Sequence, residues 1–376
     1  MPVLVLNCGS SSIKYTLFDS ERDEVVRHGL LDRVTQYFAA FEELFNTLES
    51  FLPEGLGSIR AVGHRVVHGG DRFVASRVVD DDVLSALKEI SPLAPLHNPH
   101  NIRGIECTAD HIPDVLQVAV FDTAFHATLP ERARHYAIPL QISELLGIRR
   151  YGFHGISHQY VSRRALSLAG GGEDLRMITC HLGNGCSVSA VRGGRCVETS
   201  MGFTPLEGLV MGTRCGDLDP AVVLQLLDPK GADLSWDEVY GLLNHQSGLL
   251  GLSGYSSDVR DLLSAREEGD ANASLALEIF TYRLKKYIGS YHAVLGGTDA
   301  LVFTAGIGEN APAIRMEALA GMEEMGFVLD PKANEATVGT EGEISDPVSP
   351  VRILVIPTDE DRLIYEETLR VIGQNS

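Results

Sequence analysis

Asn7, Gly9, Ser10, Ser11, Ser12 and Lys14 crowd the stretch MPVLVLNCGSSSIKYTLFD, where one apolar run stops and a second begins. A glycine that lets backbone approach a ligand, hydroxyls beside exposed N–H groups and a positive charge together suit phosphate oxygens. An ordinary polar β-turn uses the same residue types. Arg214 lies among small residues in MGFTPLEGLVMGTRCGDLDP, off any helical pattern. A planar guanidinium there suits a carboxylate or phosphate, with a surface ion pair as the alternative. Arg65 sits among apolar neighbours in a strand pattern, so it is either functional or half of a buried pair.

Three further groups carry chemistry. His154 lies in YGFHGISH (151–158), a glycine turn leading to a helix whose cap would be Ser157; packing or hydrogen bonding is the plainer role. Asp122 ends an apolar strand, where open α/β sheets place ligand groups, although a capping role is as ordinary. The turn Gly306-Ile307-Gly308-Glu309-Asn310 precedes Ala-Pro and a helical pattern, an arrangement that presents N–H groups to an anion or simply joins strand to helix. No GxxxxGK[ST] occurs, so any nucleotide phosphates must be held by dispersed turns.

Elements must bring these groups into position, and the chain is long enough for two cores. Its 376 residues predict two domains. Val34, Phe38, Phe41, Leu44, Phe45 and Leu48 recur at helical spacing, which predicts a helix over about 33–52. RAVGHRVVHGG (60–70) reads as a strand entering a glycine turn, DDVLSALKEI (81–90) as a short helix, and VLQVAVFDTAFH (115–126) as a buried strand. MITCHLGNGCSVSAVRGGRCVETS (177–200) repeats the plan of the N-terminus, and setting Gly9 on Gly185 also sets Ser11 on Ser187. This predicts a duplicated α/β domain. Gly170 to Gly172 reads as a helix stop, about Ala273 to Leu295 as a long helix, and ALVFTAGIGEN (300–310) as a buried strand entering a glycine turn.

Composition excludes several classes. A formal net charge of -20 makes nucleic acid an unlikely partner and requires local cations for any anionic substrate. No apolar stretch approaches membrane-spanning length, and the N-terminus enters a strand pattern directly, so the expectation is a cytoplasmic protein without a membrane partner. Cys8, Cys107, Cys180, Cys186, Cys196 and Cys215 show no zinc spacing and read as reduced packing residues, with redox chemistry the lesser alternative.

Taken together and in order, NCGSSSIKY, GHRVVHGG, PLHNPHN, FDTAFH, YGFHGISH, HLGNGCS, FTPLEGLVMGTRCGDLDP, FTAGIGENAP and VIPTDED resemble the acetate kinase family of short-chain acid kinases, from about residue 3 to residue 370. The resemblance implies two duplicated ribonuclease H-like, actin-like ATPase domains with an interdomain cleft. The expected boundaries are 1–124 plus a C-terminal helix at 361–376 for one domain, and 125–360 for the other. It implies reversible transfer of the ATP γ-phosphoryl group to acetate, giving acetyl phosphate and ADP, with Mg2+ (or Mn2+), in a homodimer.

By the same resemblance Asp122, His154, Arg65 and Arg214 are catalytic: the arginines neutralise carboxylate and phosphoryl charge, His154 donates to a phosphoryl oxygen, and Asp122 orients an arginine or the metal. Val67, Leu96, Phe153 and Pro205 surround the methyl group. Ser10, Ser12, Lys14, His181, Leu182, Gly183, Asn184 and Gly185 serve the phosphates. Asp258, Val259, Arg260, Gly306, Ile307, Gly308, Glu309 and Asn310 serve the adenosine, and Asn7 and Glu360 the metal. The stretch between residues 20 and 60 is shorter than the family's usual one, Asp361 stands where a second Glu is common, and Val259 where an aromatic residue often meets adenine. Rival readings are a propionate or butyrate kinase, a non-catalytic nucleotide-binding switch, and pyrophosphate as donor.

Overall fold

The computed structural model describes residues 1–172 and 174–374, which form two compact units. One comprises residues 1–127, 155–157 and the described part of 359–376; the other comprises 128–154 and 158–358. Residues 375 and 376 of the expected C-terminal helix lie outside the described residues.

The first unit is built on six strands, β1 (Pro2–Cys8), β2 (Ser12–Asp19), β3 (Glu24–Asp32), β4 (Ala61–Val66), β5 (Arg77–Val78) and β6 (Leu116–Phe121), in the order β3-β2-β1-β4-β6-β5. β1 pairs antiparallel with β2 and parallel with β4, β4 pairs parallel with β6, and β5 closes the edge antiparallel. Alternation sorts the side chains of β1. Leu4, Leu6 and Cys8 enter a core with Phe41, Leu44, Phe45 and Leu48 of the Tyr37–Glu49 helix. On the opposite face Gly63 leaves room for the Glu360–Gln374 helix, since a Cβ there would lie 2.3 Å from Thr368 Oγ1 and 2.9 Å from Ile364 Cγ2.

The second unit repeats the plan. β7 (Arg176–Leu182), β8 (Cys186–Arg192), β9 (Arg195–Thr199), β10 (Ala300–Thr304), β11 (Gly342–Glu343) and β12 (Arg352–Val355) run in the order β11-β12-β10-β7-β8-β9. Read from the other edge, this is the first sheet's order strand for strand, with the same parallel and antiparallel pairings. Each sheet also carries a register shift between its second and third strands. The duplicated α/β architecture is therefore present.

The alignment inside it needs correction. Cys8 pairs with Ile13 and Leu182 with Cys186, and the N–H groups of Gly9 and Gly183 each turn back across their loops, to Ser12 O and Gly185 O. Gly9 thus corresponds to Gly183, and Ser187 lies on the strand rather than in the turn. The unequal loop lengths made the Gly/Ser spacing point two residues too far.

Most elements fall where periodicity puts them: a helix at Tyr37–Glu49, another at Asp81–Ile90, and a long one at Ala271–Leu295. Gly170 to Gly172, all at positive φ, follow the helix that ends at Leu168, as a helix stop should. Two expectations change. The GIGEN segment is a short helix, Ala305–Asn310, entered through Ala305 at φ 63°. The helix after YGFH begins at Gly155, with His154 at its N-cap position, so Ser157 is inside the helix. Glycine-rich sequence hides short helices because its helix propensity is low.

All six cysteines are free thiols, five of them buried, and burial pushes Cys8 and Cys186 up to about 12. They are packing groups. No helix among the described residues is long and apolar enough to cross a membrane.

His64 on β4 is buried and its Nε2 has no partner; burial lowers its pKa from 6.5 to about 4, which the neighbouring Gln117 amide only partly offsets. The folded state therefore binds this proton less readily than the unfolded chain. His64 contributes stability that is complete above pH 6.5 and is lost as pH falls toward 4. Urea titrations should show that His64→Gln shrinks this acid-side loss by about 3 kcal/mol; an unchanged loss would contradict it.

Candidate functional site

Parallel strands end together, and the chemistry collects at those ends. In the first unit Asn7 is level with Arg65 in the β1–β4 register, and Asp122 directly follows β6. Arg65 grips Asp122 with both edges of its fork, Nε donating to Oδ1 at 3.2 Å and Nη2 to Oδ2 at 2.7 Å. Its Nη1 lies 3.9 Å from Glu360 Oε2. Burial opposes the Arg65 charge, but attraction to Asp122 and Glu360 outweighs it and raises the guanidinium pKa. Burial raises the Asp122 carboxyl above its ordinary value, while Arg65 pulls it back. Arg65 is a held cation, aimed by Asp122.

The face of the sheet that carries Arg65 also carries Lys14 and Thr16. Lys14 Nζ is 3.0 Å from Asp361 Oδ2, and Thr16 Oγ1 donates to the same oxygen at 2.8 Å. Asp361 thus holds the start of the Glu360–Gln374 helix against β2, and its neighbour Glu360 falls beside Arg65. Asn7 and Glu360 are oxygen donors, the kind that suits Mg2+, and among the described residues no cluster of three His, Cys, Asp or Glu offers a closed metal cage. Ser10 is exposed and Ser12 partly so, at the turn between β1 and β2.

Sequence reasoning missed what anchors that turn. Asn98 and Asn101, buried near the start of the Asn98–His111 helix, saturate backbone around the site. Asn101 Nδ2 donates to Cys8 O at 2.8 Å while its Oδ1 accepts from Val67 N at 3.1 Å; Asn98 accepts from His68 N and donates to His68 O. Tyr37 OH donates to Gly9 O. The motif PLHNPHN contained both asparagines, but nothing in its spacing says that they face backbone. Val67 is buried beside this clamp, and Leu96 is 42% exposed.

The second unit gathers a different set. His154 takes a left-handed backbone, φ 57°, a conformation that costs energy for a non-glycine residue and clusters at functional sites. Its Nδ1 is 2.9 Å from Ser187 Oγ, and its ring stacks on His181 at 4.1 Å. A Cβ on Gly185 would meet His154 Nε2 and Cε1 at 3.2 Å and Arg214 Nη1 at 3.5 Å, so His154 and Arg214 both flank that turn. Arg214 donates to Pro205 O at 3.2 Å and otherwise meets only the Met211 sulfur at 3.9 Å. It makes no ion pair among the described residues, and burial lowers its pKa. The surface ion pair considered for Arg214 is not formed among those residues.

The loop carrying Pro205 is fastened by residues outside the expected set. Glu207 accepts from Arg150 Nη2 at 2.5 Å and from Tyr136 OH, while Arg150 Nη1 donates to the carbonyls of Thr199, Ser200 and Met201. Phe153 is buried close by in sequence to Arg150.

A cavity of about 560 Å³ also lies in this unit, lined by Gly183, Asn184, Asp258, Val259, Arg260, Gly306, Ile307 and Asn310, with Ser257 and Ala311 in addition. It lies within the usual size range for small-molecule pockets. Asp258 caps the Val259–Glu267 helix and pairs with Arg260 at 2.6 Å. Leu182, Gly308 and Glu309 do not line this cavity. Leu182 is buried in β7, Gly308 packs against Cys180 O and Leu182 Cβ, and Glu309 Oε1 accepts from Thr358 N at 3.0 Å.

Arg315 fixes the short helix that borders the cavity. It is fully buried and donates to Gly308 O, Glu309 O, Asn334 O, Thr337 O and Asn334 Oδ1 at 2.7–3.1 Å. A cation among carbonyls at a helix C-terminus complements the helix dipole, although burial lowers its pKa to about 10. Arg315→Met strands these carbonyls and should cost about 3 kcal/mol or more. Amide exchange at Gly306–Asn310 should quicken well before global unfolding; unchanged protection there would disprove the bracing role.

With this geometry in view, relatives can be compared. The acetokinase family pattern matches residues 2–41 and 33–366. Its two stretches overlap at 33–41, where the connection from β3 to the Tyr37–Glu49 helix runs. An acetate kinase from Dictyoglomus thermophilum is 48% identical over 401 residues, covering 100% of both chains. The crystal structure of Porphyromonas gingivalis acetate kinase superposes with TM-score 0.94 at 40% identity, covering 99% of each chain. That of a propionate kinase from Francisella tularensis gives 0.92 at 40% identity, covering 98% of this chain and 99% of its own. A match along nearly the whole length, by pattern, sequence and structure alike, places this chain in the acetokinase family.

Proposed function

We propose that the protein is an acetate kinase, transferring the γ-phosphoryl group of ATP reversibly to acetate to give acetyl phosphate and ADP. The observation that carries this reading is Arg214, a partly buried guanidinium beside His154 and Gly185 with no carboxylate partner among the described residues. An unneutralised cation in a chain of net charge -20 is an anion site.

Acetate is ionised at neutral pH and attacks the γ-phosphorus directly, so no general base is required. One acetate O–P bond forms as the bond to the bridging oxygen of ADP breaks. Such transfers depend on positioning and charge stabilisation. Arg214 and Arg65 bind the carboxylate and the charge developing on the phosphoryl oxygens, Asp122 keeps Arg65 in its orientation, and His154 donates to an equatorial oxygen. Ser10, Ser12, Lys14 and the Gly183–Gly185 turn serve the phosphates, and the cavity beside Ile307 takes the nucleoside. Val67, Leu96, Phe153 and Pro205 are assigned to the methyl group.

Asn7 and Glu360 would hold Mg2+, which supplies charge neutralisation to the polyphosphate. The position of Glu360 beside Arg65 supports that assignment. The free, buried thiols support a reducing, cytoplasmic setting.

The test is acyl phosphate trapped as a hydroxamate from ATP with acetate, propionate or butyrate in turn. Acetate should give the highest kcat/KM; no product with any acid, or ATP turnover indifferent to acid, would refute the reading. Arg214→Ala should lose about 3 to 4 kcal/mol of transition-state stabilisation, and near-normal turnover would remove its role.

The chain is further proposed to be a homodimer, associating through the Pro220–Leu227 helix. PAVVLQLL has no buried residue, and Trp236 on the next helix is 72% exposed. A second copy would cover this apolar face. Sedimentation should give twice 40.8 kDa, and Leu224→Glu should give the monomer; a wild-type monomer would refute it.

A further inference from the structure

Ser187 entered the sequence comparison as a turn residue, and the structure puts it elsewhere, fully buried on β8 between two histidines. Its Oγ is 2.9 Å from His154 Nδ1 and 2.7 Å from His158 Nε2. The other ring nitrogen of His158, Nδ1, lies 2.7 Å from Thr179 Oγ1, which is 3.5 Å from Ser189 O. One hydroxyl proton cannot serve both imidazoles, so the direction of this chain sets where the protons sit.

The reading of His154 as a donor orders the protons along these contacts. An Nε2 that donates to a phosphoryl oxygen carries a proton, so in the neutral ring Nδ1 is bare and accepts from the Ser187 hydroxyl. The Ser187 oxygen then accepts from His158 Nε2–H, and His158 Nδ1 accepts from Thr179 Oγ1, whose 2.7 Å contact there is far shorter than its 3.5 Å one to Ser189 O.

We propose that Ser187 is a positioning residue for His154: its hydroxyl donates to Nδ1 and so keeps the proton on Nε2, the nitrogen facing the Gly185 turn beside Arg214. The proposal rests on the reading of His154 as a phosphoryl-binding group. Two other contacts share the task. His181 stacks on the ring face, and Gly185 limits the Nε2 edge, where a Cβ would come within 3.2 Å. The hydrogen bond from Ser187 supplies what stacking cannot, because a stacked ring still turns in its own plane. Misaiming a donor by an ångström at the reacting centre costs far more in turnover than in binding.

Two measurements test this. In wild-type protein labelled with 15N-histidine, His154, identified as the signal missing from His154→Ala, should show the Nε2–H tautomer; an Nδ1–H tautomer overturns the inference without any Ser187 variant. Ser187→Ala should lower kcat roughly 100-fold, with KM for ATP and for acetate changing no more than about threefold, and should scramble the His154 tautomer signal. Normal kcat with an unmoved signal overturns it. His154→Ala separates the two levels: if that variant turns over normally, the role of His154 and this proposal fall together. If it is inactive while Ser187→Ala is normal, only the proposal falls.

Discussion

Everything at the proposed site hangs on three parallel strands in each unit whose carboxyl ends must come level. In the first unit the register that sets Leu6 on His64 and Val66 on Phe121 places Asn7, Arg65 and Asp122 at neighbouring heights. Slip β4 by one residue and Arg65 turns into the core against Phe41 and Leu44 while a valine takes its place. Hydrophobic burial on both faces enforces the register, because a one-residue slip exchanges those faces. The geometry of the proposed site is a by-product of packing that the chain needs to fold at all.

The duplicated sheets use one scaffold for two electrostatic tasks. In the first unit the cation is neutralised internally: Asp122 grips Arg65, Asp361 grips Lys14, and Glu360 stands near. In the second, Arg214 is held by a carbonyl and a thioether, which orient a guanidinium without cancelling its charge. A paired arginine is preorganised and rigid; an unpaired one is available to an anion. The proposed reaction needs both kinds, since a carboxylate nucleophile and a phosphoryl donor repel each other until that charge is balanced.

Around these groups stands a second set of residues that fix the backbone carrying them. Asn98 and Asn101 clamp backbone at Cys8, Val67 and His68; Arg150 and Glu207 fasten the Pro205 loop; Arg315 braces the short helix at Gly308 and Glu309. Each is a polar side chain that satisfies main-chain groups in places too irregular for strand or helix pairing. Buried backbone without such partners would cost the fold dearly. Rigid loops are the return.

The sequence by itself determined the element types and the two-fold plan, because period-2 and period-3.6 apolar patterns and glycine stops are local properties of the chain. It also singled out Arg65, Asp122, His154 and Arg214, since a charged or polar residue amid apolar or small neighbours is visible without coordinates. The tertiary structure decided what those residues touch. Whether Arg65 was paired depended on partners at positions 122 and 360, and Arg214 has no such carboxylate among the described residues. Gly9 matched Gly183 rather than Gly185 because cross-strand pairing, which residue spacing does not encode, settles a hairpin register. Asn101, Arg315 and Ser187 gave no signal for the same reason: their partners are backbone atoms or rings distant in the chain, and such contacts exist only once packing has brought them together.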